Sequence, residues 1–212
     1  MLDAPVRRAL APTLDRAARR LAAWGVRPGA LTAAGWLAGV GACAAAALRL
    51  WPLALALWLG NRLLDGLDGP VARAGSPTDH GGFLDIVADF SVYGGFVVGV
   101  AIGVPAARLA CVVLLAAYYV SGTALLALSS LTERRALPGG DDRSLRFAGG
   151  LAEGTETVVV YVLFCLLPQQ AAGIAWGFAA AVGITAVQRV VVASRVLREP
   201  APLPWGDGGR NR

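Results

Sequence analysis

Six apolar runs alternate with short polar stretches along the chain. The runs cover approximately residues 31–49, 52–64, 83–105, 108–131, 148–168 and 171–193. A helix needs about 20 apolar residues to cross the hydrocarbon layer of a membrane, and five of the runs approach or exceed that length. The second run is shorter, so we expect its helix to continue through Asp65 and Asp68 beyond the membrane edge. The pattern predicts an all-α integral membrane protein with six transmembrane helices.

A segment of different character precedes the first run. Between Pro5 and Trp24 apolar residues recur at steps of three and four, and five arginines occupy other positions. This pattern predicts an N-terminal amphipathic helix that begins near Pro12. Because anionic lipids attract arginine, the helix is expected to lie at the membrane interface.

Composition and charge support a membrane protein. Hydrophobic residues make up 56% of the chain and charged residues 16%. All 19 basic residues are arginines, and they cluster in alternate segments between the apolar runs. By the positive-inside rule, both termini and the segments 65–81 and 132–147 should be cytoplasmic. The arginines lack interleaved aromatic residues, so no nucleic-acid partner is expected.

Four aspartates stand at the cytoplasmic ends of the second and third predicted spans: Asp65, Asp68, Asp85 and Asp89. The first two are three residues apart and the last two are four apart, so each pair shares one helical face. Converging carboxylates repel one another unless cations compensate, and Arg62 and Arg73 are the arginines close in sequence. Oxygen ligands favour a hard ion such as Mg2+ or Mn2+, and two such ions would balance four charges. The alternative is that Asp65 and Asp68 only end one helix, that Asp85 only stabilises the first turn of the next, and that no metal is bound.

The segment 65–89, DGLDGPVARAGSPTDHGGFLDIVAD, resembles the signature of the CDP-alcohol phosphotransferase (CDP-alcohol phosphatidyltransferase) family. That signature reads DxxDGxxAR, a spacer, then GxxxDxxxD. The spacer between Arg73 and Gly81 holds seven residues, where the family usually has eight. The sequence RPGALT also resembles the family's Pro-Asn-x-x-Thr entry to the first span, with Gly29 in place of asparagine. Eight positions match the signature: Asp65, Asp68, Gly69, Ala72, Arg73, Gly81, Asp85 and Asp89.

The resemblance implies a phospholipid-synthesis reaction in which a phosphatidyl group passes from CDP-diacylglycerol to a hydroxyl of a small alcohol or alcohol phosphate, with release of CMP. It implies that the four aspartates hold two Mg2+ or Mn2+ ions and that Asp89 also takes the proton of the acceptor. It further implies a homodimer in the inner (plasma) membrane. The residues expected to bind the CDP donor are Gly69, Ala72, Arg73, Thr78, Gly81 and Thr32.

A second polar cluster stands at the start of the fifth predicted span. We expect an acceptor pocket there, although glutamates near a helix N-terminus also simply favour the helix dipole. Arg189 is expected to pair with one of these glutamates or to reach the cytoplasmic surface. The residues proposed for the acceptor pocket are Arg146, Glu153, Glu156 and Thr157.

Two other functions are compatible with parts of the pattern. An enzyme of the same family could use a soluble CDP-alcohol donor and a diacylglycerol acceptor. A metal or proton transporter would also place acids in a membrane, but its ionisable groups are expected near the midplane rather than at one face. We therefore divide the chain into a cytoplasmic amphipathic segment (1–27), a six-helix transmembrane catalytic domain (28–196) and a disordered cytoplasmic tail (197–212).

Overall fold

The computed structural model describes residues 3–74, 78–134 and 154–198, and within these ranges the regular structure is helical. Short 3-10 turns, Pro105–Ala107 and Pro168–Gln170, precede the fifth and seventh helices. The all-α prediction is confirmed for the described residues. The helices are α1 (Asp3–Ala23), α2 (Pro28–Ala47), α3 (Trp51–Ala74), α4 (Asp79–Gly103), α5 (Arg108–Arg134), α6 (Gly154–Leu166) and α7 (Ala171–Arg198).

Four segments are long and apolar enough to cross a membrane: Pro28–Ala47, Asp79–Gly103, Pro105–Leu131 and Pro168–Arg198. Helix α6 is also apolar, but it spans 13 residues. Helix α3 continues from its apolar part through Asp65 and Asp68, as the sequence predicted. Large apolar side chains are more than half exposed on several of these helices, which is typical of a lipid-facing surface. Examples are Leu37, Leu63, Val112 and Val187.

Helix α1 packs against the second half of α3. A small apolar cluster that includes Ala18, Leu67 and Val71 joins the two helices. The prediction that α1 begins near Pro12 is wrong, because the helix begins at Asp3 and Pro12 lies inside it. Proline lacks one N–H, so it removes a single hydrogen bond from the helix without excluding the residues that precede it. The location of α1 at a membrane interface stays a prediction.

Helices α2 and α4 approach each other closely through small residues. A Cβ atom added at Gly39 would lie 2.5 Å from Val92 Cγ2, and one added at Gly99 would clash with the carbonyl oxygen of Cys43. These contacts form within one chain, so the small residues support packing inside the bundle. The close packing holds α2 and α4 beside each other from the middle of the two helices toward the end opposite the aspartates.

An aromatic cluster connects α3 and α4 to α6. The rings of Trp58, Tyr93 and Tyr161 contact one another, and the Tyr161 hydroxyl donates to the Tyr93 carbonyl at 2.8 Å. Trp58 Nε1 donates to the carbonyl of Val158 at 3.4 Å. Asp65 follows Trp58 by two turns. Pro168, just after the end of α6, lines the same cavity as Trp51, the first residue of α3, so α6 runs antiparallel to α3. The N-terminus of α6 therefore lies at the same end of the bundle as the aspartates.

Candidate active site

One pocket collects side chains from α2, α3 and α4 at that end of the bundle. The start of α2 contributes Thr32, and both aspartate pairs face it from α3 and α4. All four aspartates that the sequence singled out are thus brought together. The pocket is lined by Thr32, Gly35, Trp36, Asn61, Asp65, Asp68, Asp85, Ala88 and Asp89.

Three of the carboxylates are close enough to share one ion. An oxygen atom from each of Asp65, Asp68 and Asp85 lies within 4.8 Å of the others. Two oxygen ligands of one Mg2+ ion are at most about 4 Å apart, so a side-chain movement of less than about 1 Å would bring these three oxygens onto one ion. The donor set consists of carboxylate oxygens, which favours a hard divalent ion over zinc. These residues therefore fit the metal that the family resemblance implies.

Asp68 is the most enclosed member of this group, with 7% of its surface exposed. Thr32 Oγ1 donates to Asp68 Oδ2 at 3.1 Å. The contact of Thr32 with the donor stays a prediction. Burial raises the pKa of Asp68, the charge of Asp65 raises it further, and the hydrogen bond from Thr32 lowers it. Thr32 therefore stabilises the ionised form of this carboxylate.

Asp65 lies past the apolar part of α3, next to Arg62. Burial raises the pKa of Asp65 to about 7, the charge of Arg62 opposes this shift, and the charge of Asp89 adds to it. A metal ion must displace any proton that such a carboxyl group holds near neutral pH. Metal binding at this site is therefore expected to depend on pH in the physiological range.

Arg62 provides a positive charge inside the site. Its Nη2 donates to Asp89 Oδ1 at 2.8 Å and its Nη1 lies 3.4 Å from Asp65 Oδ2. The fourth predicted metal ligand, Asp89, is thus held by an arginine and is not part of the group of three. Its side chain is 30% exposed and lines the pocket, so it remains accessible.

The residues predicted to bind CDP lie around the pocket rather than in its lining, apart from Thr32. Gly69 and Ala72 are partly buried on α3, and Arg73 is exposed close to Gly69. Thr78 is the N-cap of α4, and its hydroxyl accepts a hydrogen bond from the Gly81 N–H at 3.1 Å. This cap gives Thr78 a structural role at the start of α4, and its contact with the donor stays a prediction.

The predicted acceptor residues are placed only in part. Arg146 and Glu153 lie outside the described residues. Glu156 lies in the first turn of α6, and Thr157 is buried beside Tyr118. Both residues are therefore at the same end of the bundle as the aspartates.

Arg189, on α7, contacts Ser121 of α5. Its Nη1 donates to the Ser121 hydroxyl at 2.8 Å and to the Ser121 carbonyl at 3.2 Å. Ser121 was not among the partners predicted for this arginine. The contact joins the middle of α5 to the second half of α7.

Three polar residues near the pocket were not among the predicted site residues, although Arg62 was noted as one of the two arginines close in sequence to the aspartates. Asn61 is buried, and its Nδ2 donates to the Gly35 carbonyl at 2.8 Å. Arg62 also donates to the Tyr93 hydroxyl at 2.7 Å. The sequence did contain a signal for Asn61 and Arg62, because an amide and a charged group near the end of an apolar run need polar partners where they are buried.

Comparisons with known proteins agree with this arrangement. No protein-family model matches the chain. The inner membrane protein YnjF of Escherichia coli is 40% identical over 193 residues, which cover 90% of this chain and 94% of that protein. The crystal structure of Mycobacterium tuberculosis phosphatidylinositol phosphate synthase in complex with manganese and citrate superposes with a TM-score of 0.69 at 23% identity. It aligns with 85% of this chain and 88% of that one.

A second structure of the same synthase, with CDP-DAG bound, gives a TM-score of 0.60 at 24% identity and covers 85% of this chain and 92% of that chain. The chain therefore has the fold of phosphatidylinositol phosphate synthase. In this chain, a carboxylate cluster lies at one end of the apolar helix bundle. The chain belongs to the same family as YnjF, which is an inner membrane protein.

Proposed function

We propose that the protein is a CDP-alcohol phosphatidyltransferase that transfers a phosphatidyl group from CDP-diacylglycerol to a hydroxyl of a small alcohol or alcohol phosphate. The observation that carries the proposal is the group of Asp65, Asp68 and Asp85, whose oxygens lie within 4.8 Å of one another beside Asp89. It is supported by the shared fold with a synthase solved with CDP-DAG bound.

Asp65, Asp68 and Asp85 would hold Mg2+ or Mn2+. When bound, the ion would neutralise charge on the donor diphosphate and stabilise the charge that develops during phosphoryl transfer. The 3.1 Å hydrogen bond from Thr32 favours the ionised form of Asp68 and so opposes the effect of burial on its pKa. Without a cation, the cluster would repel the anionic donor as well as itself.

Asp89 would serve as the proton acceptor. The acceptor oxygen attacks the phosphorus of the phosphatidyl group, the bond from that phosphorus to the CMP oxygen breaks, and the hydroxyl proton passes to Asp89. Arg62 donates a hydrogen bond to the Oδ1 atom of Asp89, and this contact orients the Asp89 carboxylate along the pocket wall. Arg73, exposed near Gly69, would bind donor phosphate through its planar pair of N–H groups.

The membrane would contain the lipid part of the donor throughout the reaction. We propose that α2 to α7 all cross the membrane, that α1 lies at its cytoplasmic surface and that the pocket faces the cytoplasm. Clustered arginines in the flanking segments support this orientation. The acceptor pocket is proposed near Glu156 and Thr157, together with Arg146 and Glu153. The homodimer implied by the family stays a prediction.

The experiment is CMP release by purified protein with Mg2+ or Mn2+ and a panel of alcohols and alcohol phosphates. One arm supplies CDP-diacylglycerol, and the other supplies soluble CDP-alcohols with diacylglycerol. We expect metal-dependent CMP release in the first arm. Release in the second arm alone would assign the alternative donor, and release in neither arm would contradict the proposal.

Asp89→Asn should nearly abolish CMP release while donor binding changes less, because the amide keeps the size of the side chain but accepts no proton. The matched control is Asp79→Asn, since Asp79 is exposed in the first turn of the same helix. A rate for Asp89→Asn within about tenfold of wild type, or about 1.4 kcal/mol of barrier, would contradict its role as the base.

A further inference from the structure

The guanidinium group of Arg62 lies between two of the four carboxylates. Its Nη2 is 2.8 Å from Asp89 Oδ1, and its Nη1 is 3.4 Å from Asp65 Oδ2. Asp65 and Asp89 also lie within hydrogen-bonding reach of each other. A fixed cation that contacts two adjacent carboxylates supplies compensating charge that a second divalent ion would otherwise supply.

The position of Arg62 is fixed by further contacts. Its Nε donates to Asn61 Oδ1 at 2.8 Å, and Nη1 donates to the Tyr93 hydroxyl at 2.7 Å. Its Cζ lies 4.8 Å from the ring centroids of both Trp58 and Tyr93. The side chain is 11% exposed. If the guanidinium group moved away, Asn61 Oδ1 and the Tyr93 hydroxyl would lose these hydrogen bonds, and this cost holds Arg62 in the site.

We propose that Arg62 supplies, from within the chain, the positive charge of a second divalent ion, so that the donor-free site binds a single ion through Asp65, Asp68 and Asp85. The inference rests on the proposed function and refines it, since the family resemblance led us to expect two ions. Arg62 would thereby act as a positioning residue that holds Asp89 in place of a metal.

Charge and geometry both favour a single ion. An ion bridging Asp65 and Asp89 would lie close to the fixed charge of Arg62, and the two cations would repel each other in a partly buried site. The oxygen atoms that face Arg62 also already receive N–H groups from it. In the described ion pairs Arg62 contacts Asp65 and Asp89, and neither pair involves Asp68 or Asp85.

The test counts bound Mn2+ per chain by electron paramagnetic resonance, in detergent-purified, metal-stripped protein without donor. We expect one ion per wild-type chain, with the six-line spectrum of an isolated ion. In Arg62→Gln, which removes the charge but keeps a polar side chain, we expect two ions and the spectrum of a coupled pair. The control Arg108→Gln makes the same charge change at the opposite end of the bundle, where Arg108 of α5 donates to the Ala101 carbonyl of α4, and it should bind one ion.

Two coupled ions in the wild-type chain would overturn the inference even if Arg62→Gln does not fold. A folded Arg62→Gln protein that still binds one ion would also overturn it. CMP release in the same preparations separates this inference from the proposed function. Wild-type protein that releases CMP with two ions refutes only the role of Arg62, whereas one bound ion without CMP release refutes the function. If no Mn2+ binds, both are refuted.

Discussion

Replacing Thr32 with valine tests how the carboxylate cluster is prepared for metal. The change substitutes a methyl group for the hydroxyl that donates to Asp68 at 3.1 Å. Because Asp68 is only 7% exposed, water cannot readily take the place of that hydroxyl. The ionised carboxylate loses a donor, and its affinity for a metal ion should fall.

The size of the effect follows from the hydrogen bonding of Thr32. A hydrogen bond to a charged group contributes about 1.5–3 kcal/mol, which corresponds to roughly 10- to 150-fold in affinity. The single hydroxyl proton is shared, because the Pro28 carbonyl lies 3.3 Å from the same Oγ1 atom. We therefore expect the lower end of the range, about tenfold weaker Mn2+ binding in Thr32→Val.

The assay is a Mn2+ titration of metal-stripped protein, with Thr32→Ser as the control that keeps the hydroxyl. Losing the hydrogen bond raises the pKa of Asp68 further, so a proton competes more strongly with the ion. The deficit of Thr32→Val should therefore shrink as the pH rises. A valine variant that binds Mn2+ within about twofold of wild type, or a serine variant as weak as valine, would refute the reasoning. Weaker donor binding at saturating metal would favour the donor contact expected from the sequence.

Three further predictions concern other parts of the site and the bundle. Because burial raises the pKa of Asp65 to about 7, apparent Mn2+ affinity should increase from about pH 6 to about pH 8, and an affinity independent of pH would contradict this. Arg73→Lys should weaken donor binding although its charge survives, since lysine lacks the planar pair of donors; unchanged donor affinity would assign Arg73 a structural role. Gly39→Ala should destabilise the bundle by about 1–3 kcal/mol, because the new Cβ would lie 2.5 Å from a Val92 methyl group. The control Gly60→Ala, which places its Cβ in open space, should not lower the unfolding temperature in detergent, and equal losses in both variants would exclude packing as the cause.

Several features of the protein follow from local sequence spacing. Runs of apolar residues predicted the helices, and α3 continues through Asp65 and Asp68 as the length of its apolar run required. Spacings of three and four placed each aspartate pair on one helical face. These predictions succeed because hydrophobic periodicity and helix geometry depend on neighbouring residues. The start of α1 was wrong because proline weakens a helix locally without forbidding it.

Tertiary structure decided how those faces meet. The rotation of α3 against α2 and α4 places Asp68 beside Thr32, 36 positions away, and Asp89 beside Arg62, 27 positions away. Neither pairing can be derived from sequence spacing, because helix rotation and crossing depend on packing, such as the contact of Gly39 with Val92. The sequence thus determined that four carboxylates meet at one end of the bundle. Only the packed helices decided that three of them group together while an arginine holds the fourth.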